Sequence, residues 1–194
     1  MKRGRPRQFD ADEAVADAME VFWERGYGAT SIEDLTAGTG LARGSIYKAF
    51  DSKKALFLQA LDRYTAASLE RRAAMLAREG PVREAIRATF AYDVSRSSGA
   101  DGRKGCMLLA AATEMLPHDA DVAERVDTMF RRMRALLADA IRRGQAAGEI
   151  APERDAEALA LSLLCTIEGM RAVGKTSPPQ AELERVADLV MEAL

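Results

Sequence analysis

The chain has 194 residues, 48% of them hydrophobic and 6% aromatic, and its 28 Lys and Arg against 30 Asp and Glu leave a net charge of -2. That length fits one compact unit or a small domain joined to a larger one, and an Ala- and Leu-rich, aromatic-poor mix suits helices better than strands. No stretch approaches the roughly 18 consecutive apolar residues of a membrane span, the N-terminus lacks a signal peptide's apolar core, and Cys106, Cys165 and the lone His118 have no metal-ligand spacing, so the expectation is an all-α, cytoplasmic protein with no membrane partner, metal or cofactor.

Positive charge is concentrated in two short stretches. Residues 1–9 carry Lys2, Arg3, Arg5 and Arg7 without an acid, and residues 43–54 carry Arg43, Lys48, Lys53 and Lys54 against Asp51 alone. The segment between them is acidic, which confines positive potential to those stretches. In the first, Arg3 and Arg5 stand on an extended Gly-Pro backbone of the kind that fits a narrow A·T-rich minor groove; this arm resembles an AT-hook core. The alternative is a basic tail that adds only salt-sensitive, non-specific affinity.

After the arm, Val15, Met19 and Phe22 recur at helical spacing, which predicts a helix from Asp10 to Arg25 that Gly26 ends. Thr30 and Glu33 have the reciprocal spacing of a capping box, so a short second helix is expected to about Ala37. Gly38-Thr39-Gly40 reads as a tight turn, and a third short helix from Ala42 to Lys48 would return Ile46 and Phe50 to a core with Leu35 and Leu41. The glycines from Gly38 to Gly44 approach a dinucleotide-binding fingerprint, but the spacing is wrong and a capped helix, not a strand, precedes them.

A helix-turn-helix needs a bracing helix, a turn, and a second helix whose early residues enter the major groove. Here Arg43 can bridge a guanine, Ser45 can reach a base or phosphate, Gly44 leaves room for close approach, and Tyr47 and Lys48 lie towards a phosphate. Lys53 opens the fourth helix, where free N–H groups and the helix dipole already favour an anion; Thr30 or Ser31 could serve likewise at the second. The alternative is that these charges merely solvate a helical face.

Phe22, Gly26, Tyr27, Thr30, Ile32, Leu35, Gly40, Ser45, Tyr47, Phe50, Ser52, Lys53 and Leu56 together resemble the DNA-binding signature of the TetR family over residues 10–57. The resemblance implies that Thr30 or Ser31, Arg43, Gly44, Ser45, Tyr47, Lys48 and Lys53 contact double-stranded operator DNA. The implied organisation is a basic arm (residues 1–9), a three-helix helix-turn-helix domain (10–54) and a C-terminal helical bundle for effector sensing and dimerisation (55–194), about nine helices in all.

The remaining elements suit that plan. Asp51 or Ser52 caps a long fourth helix to about Arg78, and a fifth runs through Val82, Ile86, Phe90 and Val94 into a glycine-containing loop from Ser97 to Gly105. Residues 106–116 are apolar nearly all round and are expected centrally. A long amphipathic helix follows from Asp119 to about Gly144. The helices at about 155–173 and 180–193 have more apolar surface than one core consumes, which predicts a homodimer seam.

For the effector, Met107 and Met133 could line an apolar pocket or simply fill the core. Cys106 follows Arg103 and Lys104 near a predicted helix start, both of which lower a thiol pKa. Lys104-Gly105-Cys106-Met107-Leu108 resembles a TetR subgroup in some of whose members this cysteine senses oxidants or electrophiles, and where a lysine placed as Lys175 is can lie near it. The alternative is an inert buried thiol. An enzyme is disfavoured, with no phosphate-binding loop and one histidine for proton transfer, and no catalytic residue is assigned. A helical interaction module without DNA specificity is the third reading.

Overall fold

A computed structural model of the chain describes residues 10–194; Arg3 and Arg5, with the rest of the arm, lie outside the described residues. The described residues form ten α-helices and one 3-10 turn, with no strand. They divide into two compact units, one extending to Tyr64 and the other Thr65–Leu194.

In the first unit, α1 (Ala11–Arg25) starts on the Asp10 carboxylate, which accepts from the Asp12 N–H at 2.9 Å. Its 3.6-residue rhythm buries Ala14, Val15, Ala18, Phe22 and Trp23 on one face. Gly26, at φ 80°, ends it in a conformation that a side chain would strain. α2 (Ile32–Thr39) follows and packs so closely on α1 that a Cβ on Gly38 would stand 2.3 Å from Val21 Cγ2. Left-handed Gly40 (φ 67°) then turns the chain into α3 (Arg43–Phe50).

The cap of α2 lies one residue later than the spacing of Thr30 and Glu33 predicts. Ser31 Oγ accepts from the Asp34 N–H at 3.0 Å while Asp34 accepts from the Ser31 N–H at 2.9 Å. Thr30 is 1% exposed and its hydroxyl donates to the Gly26 carbonyl at 2.6 Å, so burial removes it from the capping role. α4 (Lys53–Leu76) opens on Ser52, whose Oγ accepts from the Ala55 N–H, and carries the chain into the second unit. Leu35, Ile46, Leu56, Ala60 and Leu61 are fully buried in the first unit's core, where Phe57 packs edge-on against Phe22 at 5.0 Å.

The second unit continues with α5 (Val82–Arg96), α6 (Gly99–Lys104), α7 (Met107–Met115), α8 (Ala120–Ala146), α9 (Ala156–Val173), a 3-10 turn (Gly174–Thr176) and α10 (Gln180–Glu192). α8 lies along α9, α5 packs between α8 and α10, and Ile86, Phe90, Leu137, Ile141 and Ile167 fill the shared core. Burying side chains of this size contributes about 1.5–3 kcal/mol each relative to exposure.

Two further expectations need correction. The segment from Ser97 to Gly105, expected as loop, contains α6, six residues being too short a span for periodicity to reveal. It is held against the 3-10 turn because Gly102 and Gly174 both admit the Ser97 carbonyl, where a Cβ on either would come within 2.4 Å of that oxygen. Nor is α7 central: it buries Met107, Leu108 and Ala111 and leaves Thr113 and Glu114 exposed.

Candidate DNA interface and buried polar cluster

α3 has two faces with opposite fates. Ile46 and Phe50, four residues apart, are 0% and 3% exposed and anchor the helix to the core of the first unit. Arg43, Gly44, Tyr47 and Lys48 lie on the exposed side, with Ser45 half-buried between. The helix starts at Ala42, which makes no side-chain cap, so N–H groups of its first turn retain the positive end of the helix dipole. A Cβ on Gly44 would meet nothing within 4 Å, so packing within the protein does not require a glycine there.

The arginine is positioned from two sides. Its Nη1 lies 3.2 Å from Glu33 Oε1 on α2, and its guanidinium carbon stands 5.8 Å from the centre of the Tyr47 ring. Both partners of the ion pair are exposed, so the pairing is worth little and is easily exchanged.

Lys53 makes a different use of its charge. Its Nζ donates to the carbonyls of Tyr27 and Thr30, each at 2.7 Å, and sits 4.3 Å from the centre of the Tyr27 ring. The lysine thereby clasps the connection between α1 and α2, and Tyr27 in turn packs on Phe57 at 5.0 Å. Of the Thr30 and Ser31 alternatives, Ser31 is the exposed one. The Asp34 carboxyl beside it is held below the ordinary value of 3.8, chiefly by the Ser31 hydroxyl, then by the Ser31 N–H and Arg25.

The second unit contains a polar cluster that sequence reasoning missed. Arg72 on α4, 7% exposed, pairs through Nε and Nη2 with the carboxylate of Asp93 on α5, itself 0% exposed, and reaches Ser68 through Nη1. Burial pushes the Asp93 carboxyl up against the pull of the Arg72 guanidinium. Arg171 on α9, 4% exposed, donates through Nη1 to the Arg96 carbonyl at 3.2 Å and through Nη2 to the Gly105 carbonyl at 2.5 Å. One signal was available: Asp93 falls in the row of Ile86, Phe90 and Ser97, an inward-facing stripe where a carboxylate requires a partner. Arg72 offered none, because the run Glu70-Arg71-Arg72 reads as a solvated face.

Cys106 is the N-cap of α7, where its Sγ lies 3.5 Å from the Leu109 N–H, and the residue is half-exposed. Its thiol hydrogen-bonds Glu168 of α9, a carboxyl that burial pushes up from its ordinary value. Lys175 comes to the same place, its Cγ and Cδ each 3.0 Å from where a Cβ on Gly105 would stand. Met107 and Met133 are 2% and 3% exposed within the core. Cys165 is exposed on α9.

The buried anchoring of α3 and the open, basic face opposite it define a helix-turn-helix DNA-binding regulator of the all-helical class. Residues 14–60 match the family described as bacterial regulatory proteins, tetR family, and residues 82–190 match the tetracyclin repressor-like C-terminal domain. The chain is 32% identical over 186 residues to the HTH-type transcriptional repressor ComR of Escherichia coli K12, an alignment covering 95% of this chain and 89% of that protein. Among solved structures it resembles a cysteine mutant of the TetR family regulator CifR complexed with 26-bp double-strand operator DNA, with a TM-score of 0.87, 30% identity and coverage of 98% and 99% of the two chains. Reduced NemR of Escherichia coli shares the fold, at a TM-score of 0.81, 22% identity and coverage of 93% and 95%. The chain belongs to the TetR family.

Proposed function

We propose that the chain is a homodimeric repressor that binds a near-palindromic operator and is released by a small ligand or by oxidation or alkylation of Cys106. The exposed face of α3, bearing Arg43, Gly44, Tyr47 and Lys48 opposite buried Ile46 and Phe50, carries this reading. Arg43 exchanges Glu33 for a base edge, while Tyr47, Lys48 and Ser31 meet the phosphate backbone. Lys53 spends two of its three ammonium N–H groups on the α1–α2 connection and offers the third to a phosphate. Repression is supported by the name of the ComR relative, and operator binding by the CifR complex.

The dimer reading rests on α9 and α10. Leu161 and Val173 are 46% and 50% exposed, and Val186 and Leu189 are 37% and 65% exposed. Along α9 the exposed stripe also holds Ala158, Cys165, Gly169 and Ala172, small residues that permit close helix approach to a second copy. In the dimer two copies of α3 would stand about 34 Å apart, or a multiple of that, one DNA turn. Modification at Cys106 would shift that spacing.

Fluorescence anisotropy with the DNA upstream of the protein's own gene, against a random duplex at the same salt, tests the reading. Specific binding that falls by about 1–3 kcal/mol in Arg43→Ala, with folding unchanged, is the expected result. Equal affinity for both duplexes removes the operator reading and leaves a helical interaction module.

A further inference from the structure

Glu168 Oε2 is shut off from solvent and finds no hydrogen-bond partner among the described residues. Leaving such an acceptor desolvated is unfavourable, and a catalytic role is one of the reasons a protein retains one. The groups facing it come from several elements of the cluster: Arg72 from α4, Asp93 from α5, Arg171 from α9, and the Cys106 thiol at the start of α7; Arg96 of α5 acts on Asp93. Arg96 is paired with Asp101 on α6, and the Lys175 stem lies against Gly105. Arg72 and Arg171 supply two positive charges and Asp93 one negative charge. One further anion completes the balance, and Cys106 with Glu168 can provide it while sharing a single proton.

From the hydrogen bond between Cys106 and Glu168, and the unpartnered oxygen beside it, we infer that Glu168 is the proton acceptor for covalent capture of an activated alkene by Cys106. This inference rests on the thiol-sensing reading and specifies its chemistry. The S–H bond breaks and its proton passes to the Glu168 carboxylate. A sulfur electron pair forms a C–S bond at the β-carbon of the alkene, and the π pair moves to the carbonyl as an enolate. The proton on Glu168 then returns to the adduct, so that nothing is oxidised and the carboxylate is regenerated. Burial raises the affinity of Glu168 for the proton and narrows the gap to an ordinary thiol, which eases the transfer.

The test is the rate of N-ethylmaleimide addition to Cys106 in the full chain carrying Cys165→Ser, followed by intact mass from about pH 5 to pH 9 and compared with Glu168→Gln in the same background. A carboxylate acting only through its charge predicts faster addition in Glu168→Gln, because removing a negative charge favours the thiolate. A proton acceptor predicts the opposite: a parent rate that levels off by neutral pH, and a Glu168→Gln rate at least about tenfold slower near pH 6.5 that climbs with pH like a simple thiol. Equal or faster addition in Glu168→Gln overturns the inference. Should that variant not fold, the parent profile decides alone, since a tenfold rise per pH unit continuing beyond pH 8 excludes a carboxylate acceptor. Operator release is read in parallel: addition without release removes the sensing reading and leaves the proton transfer standing, whereas release with rates indifferent to Glu168 does the reverse.

Discussion

The two units solve the problem of placing charge in opposite ways. The first keeps Arg43 and Lys48 at the surface, beside Tyr47, and buries an apolar core with Ile46 and Phe50 beneath them. The second draws charge inside, closing Arg72 on Asp93 and Arg171 on backbone carbonyls. An exposed charge costs little to keep and is ready for an external partner. A buried one is costly unless fully partnered, which makes its surroundings responsive to any group that changes protonation or size.

The largest effect that could break this comparison is in the interior of the second unit. Arg72→Ala leaves Asp93 buried and unpaired, and thermal or urea unfolding should show a loss of about 3–5 kcal/mol. A loss under about 1 kcal/mol would mean that the cluster is hydrated and that the contrast between the units is false.

Gly44→Ala sharpens the comparison in the first unit. The new methyl meets nothing within 4 Å and replaces glycine inside a helix, which should raise stability by up to about 1 kcal/mol. The same methyl stands on the face proposed to meet DNA, so anisotropy should show weaker operator binding. A variant that is more stable and binds equally well would move the interface off this side of α3.

The smallest expected effect is at the Asp34 cap. Its carboxyl is held below 3.8 in the folded chain, so the unfolded chain binds the proton first as pH falls. The contribution is therefore present above the ordinary carboxylate range and fades as pH drops through the folded value. Asp34→Asn should flatten the acid limb of the stability curve, and an unchanged acid limb would show that the box with Ser31 adds nothing.

The elements most legible in the sequence were those with a strong local signal. Phe22, Gly26, Gly40, Ile46 and Phe50 set helix ends and an inward face by spacing alone, and α1 to α3 follow them within one or two residues. The cap of α2 falls one position from the place its spacing predicts because Thr30 and Ser31 offer the same hydroxyl, and only burial of the first tells them apart. The sequence places Lys53 at a helix start as a phosphate-binding cation; its bonds to the Tyr27 and Thr30 carbonyls depend on a loop 23 to 26 residues away.

The polar cluster was far less legible. Its members Arg72, Asp93, Cys106, Glu168 and Arg171 are drawn from four helices, and no short window contains the pairing. Arg103 and Lys104 were visible beside Cys106 because they are sequence neighbours. Glu168, to which the thiol hydrogen-bonds, lies more than sixty residues away along the chain.

The exposed face of α3 proposed to meet DNA and the Cys106 thiol bonded to buried Glu168 can be addressed by one titration. Anisotropy of the protein on its upstream DNA, before and after N-ethylmaleimide, with Cys106→Ser in parallel, is that measurement. The expected result is that the parent chain binds and is then released while Cys106→Ser stays bound. Release of both, or of neither, would contradict the proposal that modification of Cys106 releases the operator.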